Sequence, residues 1–66
     1  MYGERIRELR EERNLTQAQL AEALGVSQKN VSKYELELLG LNTEIIVKLC
    51  RFFAVTSDYL LGLSDY

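Results

Sequence analysis

The residue types best equipped for specific recognition lie between Gln17 and Lys33. Gln28 carries a carboxamide that can pair bidentately with adenine, and Lys29 and Lys33 can reach guanine acceptors in a major groove. Gln28, Ser32 and Lys33 share one helical face by their i+4 and i+5 spacing, while Val31 and Tyr34 point to the opposite side. That face holds no acidic member before Glu35. Gln28, Lys29, Lys33 and Ser32 are therefore expected at base edges, and Ser27 and Asn30 at phosphates. Gln17 falls at the first position of another helix, where exposed backbone N–H groups favour a phosphate. The bland alternative is a merely solvated face, and so many hydrogen-bonding side chains without an acid weigh against it.

Reaction chemistry has little to work with. Histidine is absent, which removes the commonest general base and metal ligand. No glycine-rich phosphate loop and no carboxylate pair in an apolar setting appear. The sequence therefore predicts no enzyme, no cofactor, no metal and no small-molecule substrate. The single cysteine excludes an internal disulfide framework. Cys50 lies among Val47, Leu49, Phe52 and Phe53, so a buried free thiol is expected rather than a redox sensor. With no signal peptide and no long apolar run, a cytoplasmic chain without a membrane partner is expected.

The net charge is −2, against the basic balance usual in a nucleic-acid binder. Its distribution matters more. Residues 1–13 sum to zero, residues 14–34 to +1 and residues 35–66 to −3. The recognition segment is locally basic and acidity collects behind it, so affinity for DNA per subunit should be modest.

The elements that must position these residues form one all-α domain over residues 1–66, with a helix-turn-helix unit at 16–35. Thr16 can cap the first helix of that unit, and Gln19 completes a Thr-x-x-Gln capping box. Gly25 stands where a left-handed residue closes a helix, and Ser27 can cap the next. Ala21 is small where the two helices must cross closely. The second of these helices is expected to run from Gln28 to about Leu39. The stripe Val31, Tyr34, Leu38 continues beyond Glu35, and Gly40 offers a stop. The alternative is a break near Glu35 followed by a leucine-rich loop. Before this unit, Tyr2 to Arg13 reads as a helix with Ile6 and Leu9 inside, Arg7 paired with Glu11, and Arg13 mostly solvated. After it, Asn42 can cap a strongly apolar fourth helix carrying Ile45, Ile46, Leu49, Cys50, Phe52 and Phe53. Thr56 can cap a short fifth helix ending at Gly62.

Five segments together carry a family resemblance: Ile6-Arg7-Glu8-Leu9-Arg10, Leu15-Thr16-Gln17 through Leu20-Ala21, Leu24-Gly25-Val26-Ser27, Val31-Ser32-Lys33-Tyr34-Glu35, and Val55 through Gly62. In this order and spacing the chain resembles the phage repressor and Cro-like (Xre-type) helix-turn-helix transcriptional regulators, over nearly its whole length. The resemblance implies a compact five-helix, lambda repressor-like DNA-binding domain. It implies a regulator, typically a repressor, that binds a palindromic operator on double-stranded DNA as a homodimer. It also implies a phosphate contact from Gln17 and a structural ion pair between Arg10 and Glu35.

The pattern fails after Glu35. The family usually continues with a basic loop of the form Glu-Arg-Gly-x-x-x-Pro, whereas this chain reads Glu35-Leu36-Glu37-Leu38-Leu39-Gly40-Leu41-Asn42. No basic residue occurs between Lys33 and Lys48, so this loop lacks the cations that would contact phosphates and a shallow salt dependence is expected. Leu38 and Leu41 are expected inside, with Leu36 and Leu39 at least partly exposed as a possible dimer surface. A second function follows from the same stretch: a protein-interaction module of antitoxin or anti-repressor type, using the Leu36–Leu41 patch.

Overall fold

The computed structural model describes residues 1–65. It contains five helices: α1 (Tyr2–Glu12), α2 (Gln17–Leu24), α3 (Gln28–Glu35), α4 (Thr43–Phe53) and α5 (Ser57–Leu60). No strand occurs among the described residues. The expected all-α, five-helix architecture is the observed one.

Four helices begin as their sequences dictate. The side chains of Thr16, Ser27, Asn42 and Thr56 each accept the backbone N–H three residues on. At Thr16 the reciprocal bond from its own N–H to Gln19 Oε1 completes the capping box. Each cap satisfies an amide that has no acceptor inside its helix. α1 is the exception, because Met1 supplies no side-chain cap. Its Gly3 N–H instead donates to Glu37 Oε2, at 3.2 Å, from the segment after α3.

All five helices end through a left-handed residue: Asn14, Gly25, Glu37, Ala54 and Gly62, with φ between 55° and 79°. After α3, the Glu37 N–H donates to Tyr34 O and the Leu38 N–H donates back to Lys33 O. That pair of bonds satisfies the last carbonyls and turns the chain out of the helix. The expected continuation of α3 to Leu39 is therefore corrected: the helix stops at Glu35, and a leucine-rich loop follows. Gly40, expected as the stop, has neither a positive φ nor close neighbours.

The same turn corrects a burial. Leu38 lies outside, 73% exposed, because the register that would have carried it inward from Val31 ends three residues earlier. Leu36 and Leu39 are exposed as expected, and Leu41 packs partly against the core.

The core joins Ile6 and Leu9 of α1, Leu20, Ala21 and Leu24 of α2, Val31 and Tyr34 of α3, and Ile45, Leu49 and Phe53 of α4, with Leu60 of α5. Leu20, Val31, Leu49 and Leu60 are completely buried. Ala21 is buried on α2, the helix that packs most extensively against α3. Cys50 is half-buried, and burial pushes its thiol pKa up, which keeps it protonated and unreactive.

Arg13 is exposed, as expected, but its guanidinium is committed. Its guanidinium donates to Phe52 O at 2.9 Å and Phe53 O at 3.0 Å, and lies over both rings. It thereby satisfies carbonyls at the C-terminus of α4 and anchors α1 to it. Lys48 does the same for α2, donating to Leu24 O at 3.1 Å.

Candidate nucleic-acid interface

α3 is held by its inner side and open on its outer side. Val31 and Tyr34 are buried. At about 100° per residue, the direction opposite them is occupied by Lys29, Ser32 and Lys33, with Gln28 at its margin. Gln28, Lys29 and Lys33 are exposed, and Ser32 is half-buried. The four residues expected at base edges therefore share one accessible surface, and no carboxylate interrupts it.

Ser27 and Asn30 are engaged with each other, since the Asn30 N–H donates to Ser27 Oγ at 3.2 Å. The Ser27 hydroxyl hydrogen remains available, because its oxygen is the acceptor in that bond. Gln17 stands at the first position of α2 and is half-buried. Its side chain points at α3: Nε2 donates to Glu35 Oε1 at 3.1 Å. Since an ionised carboxylate only accepts, this contact fixes which end of the carboxamide faces Glu35.

Glu35 is the hub that sets the angle of α3. Its Oε2 accepts from Arg10 Nε at 2.7 Å, and its Oε1 accepts from Arg10 Nη2 at 3.2 Å. Arg10 also donates from Nη1 to Leu15 O at 2.8 Å, reaching the turn that leads into α2. The side chains are 12% and 5% exposed. Hydrogen bonding to Glu35 raises the Arg10 pKa still further above an already high value, so the guanidinium stays charged throughout the accessible range. One arginine thus ties α1 to the end of α3 and to the start of α2. The ion pair implied by the resemblance is present, and it is bidentate and nearly buried.

Gly3 and Glu37 also contribute here, though sequence reasoning gave neither a role. A Cβ built on Gly3 would lie 2.3 Å from Glu35 O, so only glycine lets α1 approach the end of α3 this closely. Glu37 then anchors the loop to the α1 N-terminus. A glycine in the first turn of a helix was the available signal. What it lacked was the long-range partner.

α2, the Gly25 turn and α3, braced by α1, define a helix-turn-helix domain. The helix-turn-helix family model (HTH_3) matches residues 6–60. The chain belongs to this family, of the Xre, Cro/C1 type. It is 40% identical over 98% of its length to the uncharacterized HTH-type transcriptional regulator YobD of Bacillus subtilis, covering 58% of that protein. It is 37% identical over 96% of its length to the HTH-type transcriptional regulator ImmR of Bacillus subtilis, covering 50% of it. The chain thus spans about half the length of these curated relatives. Among solved structures, it matches the P22 c2 repressor protein in complex with synthetic operator 9T. The TM-score is 0.85, with 33% identity over 91% of each chain.

Among the described residues, no group of His, Cys, Asp and Glu side chains could hold a metal ion. None of the described helices is long and apolar enough to cross a membrane.

Proposed function

We propose that this domain binds double-stranded DNA sequence-specifically, as part of a transcriptional regulator of repressor type, with α3 in the major groove. The observation that carries the reading is the uninterrupted polar surface of Gln28, Lys29, Ser32 and Lys33. It sits on a helix whose opposite side is buried and whose end is locked by Arg10 and Glu35. In this reading Gln28, Lys29, Ser32 and Lys33 meet base edges. Gln17, Ser27 and Asn30 meet phosphates and set the register. The solved complex of the related P22 c2 repressor protein with an operator supports the assignment.

Gln28→Ala and Gln17→Ala separate the two roles. Gln28→Ala should cost about 1–3 kcal/mol on a selected site and little on random DNA, relaxing specificity at one position. Gln17→Ala should weaken all sequences alike. Equal losses on both duplexes for Gln28→Ala would remove it from the base-reading set.

The homodimer belongs to the same proposal. Leu36, 66% exposed, and Leu38 and Leu39 beside it form an apolar surface at the end of α3. A second copy docked there would pair two recognition helices for a palindromic operator, in the cytoplasm where such regulators meet DNA. Sedimentation without DNA should show concentration-dependent association that Leu36→Ser weakens. A monomer at high concentration would remove this part of the proposal. The exposed leucines and the acidic loop also favour a second reading, a protein-interaction module without DNA affinity. A gel shift at low salt with a randomised duplex pool decides between them.

A further inference from the structure

We propose that Arg7 is a further DNA-contacting residue, holding a backbone phosphodiester at the mouth of a cavity between α1, the start of α2 and α3. The inference rests on the DNA-reading role of α3 proposed above. The cavity has a volume of about 220 Å³ and is lined by Arg7, Arg10, Gln17, Ser32, Glu35 and Leu36. Ser32 belongs to the outer surface of α3 and Gln17 opens α2, so a duplex lying on α3 would run its backbone past this opening.

The charges around the cavity are unequally committed. Glu35 is the one carboxylate in its lining, and both oxygens are occupied by Arg10 and Gln17. Arg10 is consumed by Glu35 and Leu15 O. These two cancel. Arg7 does not share their burial: its side chain is 64% exposed, and its ion pair is a 3.3 Å contact from Nε to Glu11 Oε2, on the same helix. An exposed pair of this kind contributes little, so exchanging Glu11 for a phosphate costs little. The guanidinium fork matches a phosphate bidentately, and using Nε for Glu11 leaves its other donors for the phosphate.

Two further features of this chain point the same way. The capping box uses the Thr16 and Gln19 amides, while the amides of Gln17 and Ala18 between them have no acceptor within the helix. They add positive field at the cavity mouth. The loop after α3 carries no cation, and Lys48 is spent on Leu24 O and Glu44. Phosphate neutralisation missing from that loop is supplied here from α1.

The test compares wild type, Arg7→Ala, Arg7→Lys and Arg5→Ala on a selected duplex and on a random one. Binding is measured by fluorescence anisotropy between about 50 and 200 mM salt. Arg5 lies about 200° around α1 from Arg7 and stacks over Tyr59, so it controls for loss of charge alone. One phosphate contact contributes about 0.9 to the slope of log K against log salt. Arg7→Ala should flatten the slope by about that amount and weaken both duplexes by the same factor. Arg7→Lys should restore the slope, and Arg5→Ala should leave it unchanged. An unchanged slope in Arg7→Ala, or an equal flattening in Arg5→Ala, would overturn the proposal while leaving the DNA-reading role intact. Failure of the wild type to bind either duplex at low salt would overturn both.

Discussion

Arg10→Met should lower the stability of the domain by about 3–5 kcal/mol, read as a shift of the urea midpoint. The substitution keeps an apolar stem of similar bulk but removes the guanidinium, and so strips Glu35 of its charge partner. Glu35 is 5% exposed and would be left with Gln17 alone, a neutral donor. A buried carboxylate without a cation is far more costly than the pair was favourable. The Leu15 carbonyl loses its donor as well. A 66-residue chain has about 3–10 kcal/mol of stability in total, so the loss is a large fraction of what holds the domain folded. Arg10→Met combined with Glu35→Leu should recover most of the loss, since neither charge then remains buried. A midpoint unmoved in the single variant would make the pair ornamental and leave the angle of α3 to be set by apolar packing alone.

Gly3→Ala is the second large effect, and its sign is instructive. In an exposed helix the change would stabilise by up to about 1 kcal/mol, because alanine loses less backbone entropy than glycine. Here the new Cβ meets Glu35 O at 2.3 Å, Glu35 C at 2.9 Å and Glu37 Cγ at 2.9 Å. Two of these are backbone atoms at the end of α3, so α1 and α3 must separate. Overpacking of this kind costs about 1–3 kcal/mol, and a backbone clash belongs to the upper part of that range. The shift also lengthens the bond from Gly3 N–H to Glu37. The melting temperature should fall by roughly 4–8 °C for each kcal/mol lost. Because the displaced element is the helix proposed to read DNA, discrimination between a selected and a random duplex should fall with it. A melting temperature equal to or above wild type would mean that helix propensity outweighs the contact.

Much of the fold was legible because its signals are local. Thr16, Ser27, Asn42 and Thr56 cap the helices that follow them, and Gly25 and Gly62 close theirs, each decided within four residues. The end of α3 was not legible for the complementary reason. Its left-handed residue is Glu37, a side chain that ordinarily disfavours positive φ. What holds it there is a bond to Gly3, which lies 34 residues away. Reading Gly40 as the stop and Leu38 as buried followed from that hidden turn. Arg13 is exposed as expected, but its carbonyl partners on α4 were not legible, because they are 39 and 40 residues distant.

In the proposed recognition surface, helical periodicity placed Gln28, Ser32 and Lys33 on one face, and the structure sets Lys29 beside them. The structure adds their shared accessibility and the Arg10–Glu35–Gln17 brace beneath them. Family resemblance supplied the expectation of an ion pair. Gln17, expected at a phosphate, also donates to Glu35, a contact that only the fold brings about. Its carboxamide has two hydrogens, so both contacts are compatible.

Selection of duplexes from a randomised pool by the wild-type chain tests the reading of bases by α3 most directly. The expected result is an enriched sequence with two inverted half-sites whose centres lie about 34–36 Å apart, one turn of the double helix. Gln28→Ala should then lose preference at one position in each half. A pool that stays random after successive rounds, with every duplex bound equally or none bound, would contradict the assignment of α3 as a reader of sequence.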